Sequence, residues 1–165
     1  MIQKIKKFVR YLLSKKSEVT QLGPDDIYMG KVIFGDIYAH NPKVIHRLLP
    51  LSVLYPIHPL DRANSQKSVT KRATLLKRHQ VEILKHGSLD TKLLEKYMPS
   101  VSGLRAVKVD EQTYFVFEGN GRLAAIKEVF PRHQTLKISV EEYLIQNPTQ
   151  VIEGLQNIRK ANGLD

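Results

Sequence analysis

One stretch limits what this chain can fold into: Thr113-Tyr-Phe-Val-Phe-Glu118, then Gly119-Asn120-Gly121-Arg122, then Leu-Ala-Ala-Ile-Lys-Glu-Val-Phe130. The first segment is rich in aromatic and β-branched residues and reads as a strand, and the last carries apolar residues at helical spacing. Between them there is room only for a tight turn. The backbone amides that open a helix lack intrahelical partners and lie at the positive end of its dipole. A glycine-rich turn that delivers them, with an arginine beside it, therefore predicts a site for an anion, and a phosphate-bearing ligand above all.

The neighbouring segments give this unit a setting. Leu104–Val109 alternates apolar and polar residues and connects through Asp110-Glu111-Gln112 to Thr113, which predicts a β-hairpin. Thr135–Val140 reads as a further strand after Pro131 ends the helix. Upstream, Leu51–Ile57 is strand-like but interrupted by Pro56, which suits an edge or a strand end because proline donates nothing to a ladder. From Ser65 to His86, Val69, Ala73, Leu76, Ile83 and Leu84 mark one face of a long basic helix with Gly87 as its stop. Asp90 then caps a shorter helix that uses Leu93, Leu94 and Tyr97.

The ends read differently. Residues 1–16 place Ile2, Ile5, Val9, Leu12 and Leu13 at helical spacing among lysines and arginines. Such a helix either docks its apolar stripe on the domain, the favoured reading, or lies on an anionic membrane or nucleic acid. Residues 19–45, punctuated by Gly23-Pro24, Gly30, Gly35 and Asn41-Pro42, are expected to form a small hairpin or loop-rich arm. Asp25, Asp26 and Asp36 lack calcium-loop spacing and are read as turn and capping residues, and His58 as structural. From Glu141 on, Tyr143 and Leu144 and a second stripe at Val151, Ile152, Leu155 and Ile158 predict one or two covering helices. The fold class expected is α+β, a small mixed sheet with flanking helices. The expected division is an arm at 1–48, a central domain at 49–145 and a C-terminal helix at 146–165.

Composition narrows the chemistry. With no cysteine among 165 residues, disulfides, thiolate metal sites and a cysteine nucleophile are excluded, and a reducing compartment, the cytoplasm, is the expected location. No apolar run is long enough to span a bilayer, and no signal-peptide core opens the chain. A formal net charge of +10 favours polyanionic partners. Nucleic acid tracked by the basic helix at 65–86 is thus an alternative to a small phosphate ligand.

The order of strand, basic loop, long helix, short helix, hairpin, Gly-turn-Arg, helix and strand over roughly residues 50–145 is similar to the ParB/sulfiredoxin superfamily. The part of the chain that carries the likeness best is Tyr114–Ala125, with Gly119, Arg122 and Ala125 at the positions of that superfamily's strand, Gly-x-x-Arg turn and small helical residue. The resemblance implies that Gly119, Asn120, Gly121 and Arg122 hold the phosphates of ATP, ADP or CTP, assisted by Arg62 after the first strand. It also implies a function as a switch, a nuclease-like activity or a phosphoryl transfer. It is incomplete. Asn120 stands where sulfiredoxin has its catalytic cysteine, and too little chain follows Glu141 for the helix-turn-helix module of the partition proteins. If chemistry occurs, Glu118 is the nearest candidate for a general base or for a carboxylate holding Mg²⁺ beside the phosphates.

Glu118-Gly-Asn-Gly-Arg122 also resembles the turn of the Fic-type AMP transferases. In that alignment the catalytic histidine falls on Tyr114 and the motif's phenylalanine on Val116. The flanking segment is moreover strand-like rather than helical, so Fic catalysis is rejected. Both families need flexible amides and an arginine to hold phosphate, which accounts for the likeness.

Overall fold

A computed structural model describes residues 24–100 and 102–164. The expected helix at 1–16 lies outside them. Among the described residues the architecture is mixed α/β, with six α-helices and one six-stranded mixed sheet. The strands are β1 (Lys43–Pro50), β2 (Leu54–Pro56), β3 (Ser88–Leu89), β4 (Arg105–Asp110), β5 (Thr113–Glu118) and β6 (Lys137–Leu144). Their order across the sheet is β1-β6-β4-β5-β2, and β3 shares one edge of β6 with β4. β1 and β6 run antiparallel, as do β4 and β5, whereas β2 lies parallel to β5.

The hydrophobic run of β5 follows from its position. Tyr114 and Val116 face one core and Phe115 and Phe117 the other, so both faces of the strand are buried and no polar alternation survives. The first core is covered by α2 (Ala63–Arg78), α3 (Gln80–His86), α4 (Thr91–Tyr97) and α5 (Asn120–Val129). The second lies under the segment 24–40 and α6 (Thr149–Ala161), around Val32, Ile37, Phe115, Phe117, Tyr143, Leu155 and Ile158.

Three expectations need correction. The segment from Pro24 is helical rather than a hairpin: α1 (Pro24–Gly30) continues through a π-helical stretch, Lys31–Ile37, into a 3-10 turn, Tyr38–His40. Its β-prone residues adopt helix because that buries Val32 and Ile37 against α6, where the Val32 methyls fill the space over Gly154. Tertiary burial overrides local propensity here. The long basic helix is two helices, broken at His79, whose ring stacks on Tyr97 at 4.4 Å while Gln80 reaches the Val129 carbonyl. The strand from Lys137 continues to Leu144, so Tyr143 and Leu144 belong to the sheet and not to a covering helix. β1 was not expected at all; it pairs with β6 along its whole length, and its Lys43, His46 and Arg47 are exposed, as charged residues on an edge strand are.

Other local readings hold. Gly87 closes α3 with φ 76°, Asp90 accepts from the Leu93 amide at 2.9 Å, and β2 is an edge strand ending on Pro56. No helix among the described residues is long and apolar enough to cross a membrane.

Candidate functional site

The parallel pair β2 and β5 sets the site. Each strand ends in a short connection that starts a helix, α2 or α5, and crevices at the carboxyl ends of parallel strands are where sheets of this kind take ligands. Asn120 ties the two connections together by accepting a hydrogen bond from the Ile57 amide at 3.3 Å. That side chain is 5% exposed and its oxygen is turned to the backbone, so among the expected ligand residues Asn120 offers only its N–H.

The turn could not be built without its first glycine. Gly119 sits at φ 90°, and a Cβ there would lie 2.7 Å from Leu104 Cδ2 and 3.2 Å from Leu104 Cα. The Arg122 and Leu123 amides both close on the Gly119 carbonyl, at 2.9 and 3.1 Å. Asn120 and Gly121 are the amides at the open end of α5. A Cβ on Gly121 would lie 3.0 Å from Nη1 of Arg72, which brings a second guanidinium from α2 onto this turn.

Arg122 is 5% exposed. It donates through Nη2 to the Ser102 carbonyl and forms no ion pair among the described residues. Burial, and then the charge of Arg72, depress its pKa, while the charges of Glu118 and Glu141 oppose that shift. A buried cation with a second cation beside it is a costly arrangement unless an anion joins them.

Glu118 has a different setting. β5 carries one residue more than β4 between Val116 and Glu118, and this bulge turns the Glu118 carboxylate toward the second core. There it accepts from Tyr38 Oη at 2.6 Å and from Arg105 Nη1 at 2.7 Å, and Arg105 Nε donates to Glu141 at 2.9 Å. Burial raises the Glu118 pKa, but hydrogen bonds from Tyr38 and Ser102 and the charge of Arg105 outweigh it and hold the carboxyl below its ordinary value. Burial and the adjacent Glu118 push the Tyr38 hydroxyl well up. Glu118 is thus an ionised carboxylate whose Oε2 accepts from both Tyr38 and Arg105.

This engagement also bears on a protein-held Mg²⁺. The one carboxylate expected to hold the ion already accepts from a tyrosine and an arginine, and the described residues contain no group of three or more His, Asp or Glu side chains arranged for a metal. The described residues thus offer no ready-made cluster for a resident metal ion. Arg62, expected beside the phosphates, is the residue before α2 and makes a two-pronged contact to Asp26 at 2.7 and 2.6 Å on the surface. Arg72, Arg105, Ser102 and Tyr38 were not singled out from the sequence. Arg72 is one of several cations on α2, and only the packing of α2 against α5 distinguishes it.

A polar cleft of about 200 Å³ adjoins the turn, lined by Arg122, Arg105, Ser102 and Ser139 among others. A larger one, about 340 Å³, lies away from it against Glu82, His86 and Tyr97. No protein-family model, curated protein or solved structure matches this chain.

Proposed function

We propose that the chain is a nucleotide- or phosphate-binding domain of ParB/sulfiredoxin type, working in the cytoplasm. The amides of Asn120 and Gly121 and the guanidinium groups of Arg122 and Arg72 grip the phosphates of ATP, ADP or CTP. One observation carries this reading: Arg122, a nine-tenths buried guanidinium, donates to a carbonyl and has no ion pair among the described residues, and burial and the charge of Arg72 outweigh the opposing charges of Glu118 and Glu141 on it. An arriving phosphate would supply the missing counter-charge in charge-assisted hydrogen bonds. Mg²⁺, where it takes part, enters on the nucleotide rather than on Glu118. Phosphoryl transfer and nuclease-like chemistry stay within the reading only if a base other than the engaged Glu118 serves them.

Thermal unfolding with ATP, ADP, CTP and GTP, each with and without Mg²⁺, tests the proposal. A ligand at 100 times its dissociation constant stabilises by about 2.7 kcal/mol. Binding lost in Arg72→Ala, whose side chain is half-buried and lies against Gly121, is the expected result. No stabilisation by any of the four, or stabilisation unchanged in Arg72→Ala and Arg122→Met, would overturn it.

A further inference from the structure

The cleft beside the turn has a structural origin in the sheet. Along one edge of β6, Lys137 and Ile138 pair with β3, and pairing resumes at Glu141 and Glu142 with β4. Ser139 and Val140 between them have no strand neighbour on that side, and the gap opens into the cavity of about 200 Å³. Four hydroxyl side chains, Thr91, Ser100, Ser102 and Ser139, share its wall with His46 and the carboxylates of Glu95 and Glu141. Thr91 and Ser139 hydrogen-bond each other at 2.9 Å.

Arg122 and Arg105 are the cations of this wall, and they are not equivalent. Arg105 is bound to Glu118 and Glu141, whereas Arg122 is nine-tenths buried with no ion pair. A ligand in the cleft therefore meets a guanidinium with no ion pair among the described residues, four short hydroxyl groups and the Glu95 carboxylate, which can accept from a sugar hydroxyl. That pairing recognises a phosphorylated molecule whose remainder is itself hydroxylated. Size limits it further: at about 200 Å³ the cleft is smaller than the roughly 300–1,000 Å³ of pockets for drug-sized ligands, which suits a single sugar better than a whole nucleoside.

We propose that the cleft between β3 and β4 seats the sugar of a phosphorylated pentose, with its phosphate on Arg122 and any attached base outside. The sugar comes either from a free sugar phosphate or from a nucleotide. This inference rests on the reading of the Arg122 turn as a phosphate site and adds the group next to the phosphate.

Calorimetric titration of the full chain with inorganic phosphate, ribose 5-phosphate and AMP tests it. Ribose 5-phosphate is expected to bind at least tenfold more tightly than inorganic phosphate. Ser139→Ala, which removes the Thr91 partner, and Ser100→Phe, which fills the mouth from an exposed position, should each bring ribose 5-phosphate down to the phosphate level. Neither should alter binding of inorganic phosphate itself, and Ser100→Phe keeps the test valid if Ser139→Ala impairs folding. AMP tighter than ribose 5-phosphate identifies a nucleotide as the source, and AMP weaker identifies a free sugar phosphate; both support the cleft. Phosphate binding with no gain from the sugar, or a gain that survives both variants, overturns this inference alone. Absence of binding by all three ligands overturns it together with the phosphate reading.

Discussion

Arg105 and Arg122 line the same cleft, yet they solve the problem of a desolvated charge in opposite ways. Arg105 has Glu118 on one nitrogen and Glu141 on another, with Tyr38 completing the set at 2.8 Å. Arg122 has the Ser102 carbonyl, and the charge nearest to it in effect is another arginine. The first is a closed network that ties the segment 24–40, the hairpin and β6 together. The second is an open valence. Burial alone does not separate a structural arginine from a binding one; the presence or absence of a counter-charge does.

The largest expected effect comes from removing the frame that both arginines depend on. In Gly119→Ala the new Cβ meets Leu104 at 2.7 Å and stands 3.3 Å from Arg122 Nη2, at a φ of 90° that alanine rarely adopts. Strain and overpacking together should cost about 3 kcal/mol. Urea unfolding measures it, and a loss under about 1 kcal/mol would mean that the turn relaxes easily and is no rigid cradle.

Next come the arginines themselves, changed in the same way so that the contrast is direct. Arg105→Met strands two carboxylates. Their side chains are 36% and 22% exposed, so solvent screens part of the penalty, and the expected loss is about 2 kcal/mol. Arg122→Met removes a buried charge that had no partner. Stability should hold or rise by up to about 1 kcal/mol, while stabilisation by nucleotide disappears. Equal losses of stability in the two variants would erase the distinction.

Much of the hairpin, the strand-turn-helix unit and the Asp90 cap was legible in the sequence, since each is determined within a few residues by alternation, glycine or a capping side chain. The network was not. Tyr38 is 80 positions from Glu118, and Arg105 is 36 from Glu141, so their meeting depends on strand order and on the helical path of the segment 24–40. That segment misled because Val32, Ile33 and Phe34 favour strands in isolation, and what makes them helical is α6, more than 100 residues away. The Gly119–Arg122 turn could be read as an anion site from its own residues. That Glu118 is held by Arg105 and that Arg72 reaches Gly121 required the bulge in β5 and the packing of α2 on α5, neither of which has a local signature.

Tyr38→Phe is a smaller perturbation of the closed network. It deletes one hydrogen bond to Glu118 and one from Arg105 without opening a cavity, and should cost about 1 kcal/mol by urea unfolding while nucleotide binding stays as it was. A fall in binding would show that the network and the turn act as one site and not as two.

The smallest effect is in the pH dependence, and it separates the two arginines by whether a carboxylate depends on them. Glu118 has a folded pKa below its unfolded value, which is about 4.3 for a glutamate. Its contribution is therefore complete above the unfolded pKa and is lost as pH falls through the folded one. Glu118→Gln should cost under about 1 kcal/mol at pH 7, allowing for a carboxylate 36% exposed, and progressively less on acidification below about pH 4. Stability curves of the wild type and the variant would then converge in acid. Arg122→Met should run parallel to wild type over the same range, because a guanidinium stays protonated throughout and no carboxylate loses a partner. Convergence for the Arg122 variant as well would mean that an acidic group is paired with Arg122 in solution, and the open valence on which the phosphate reading stands would be closed.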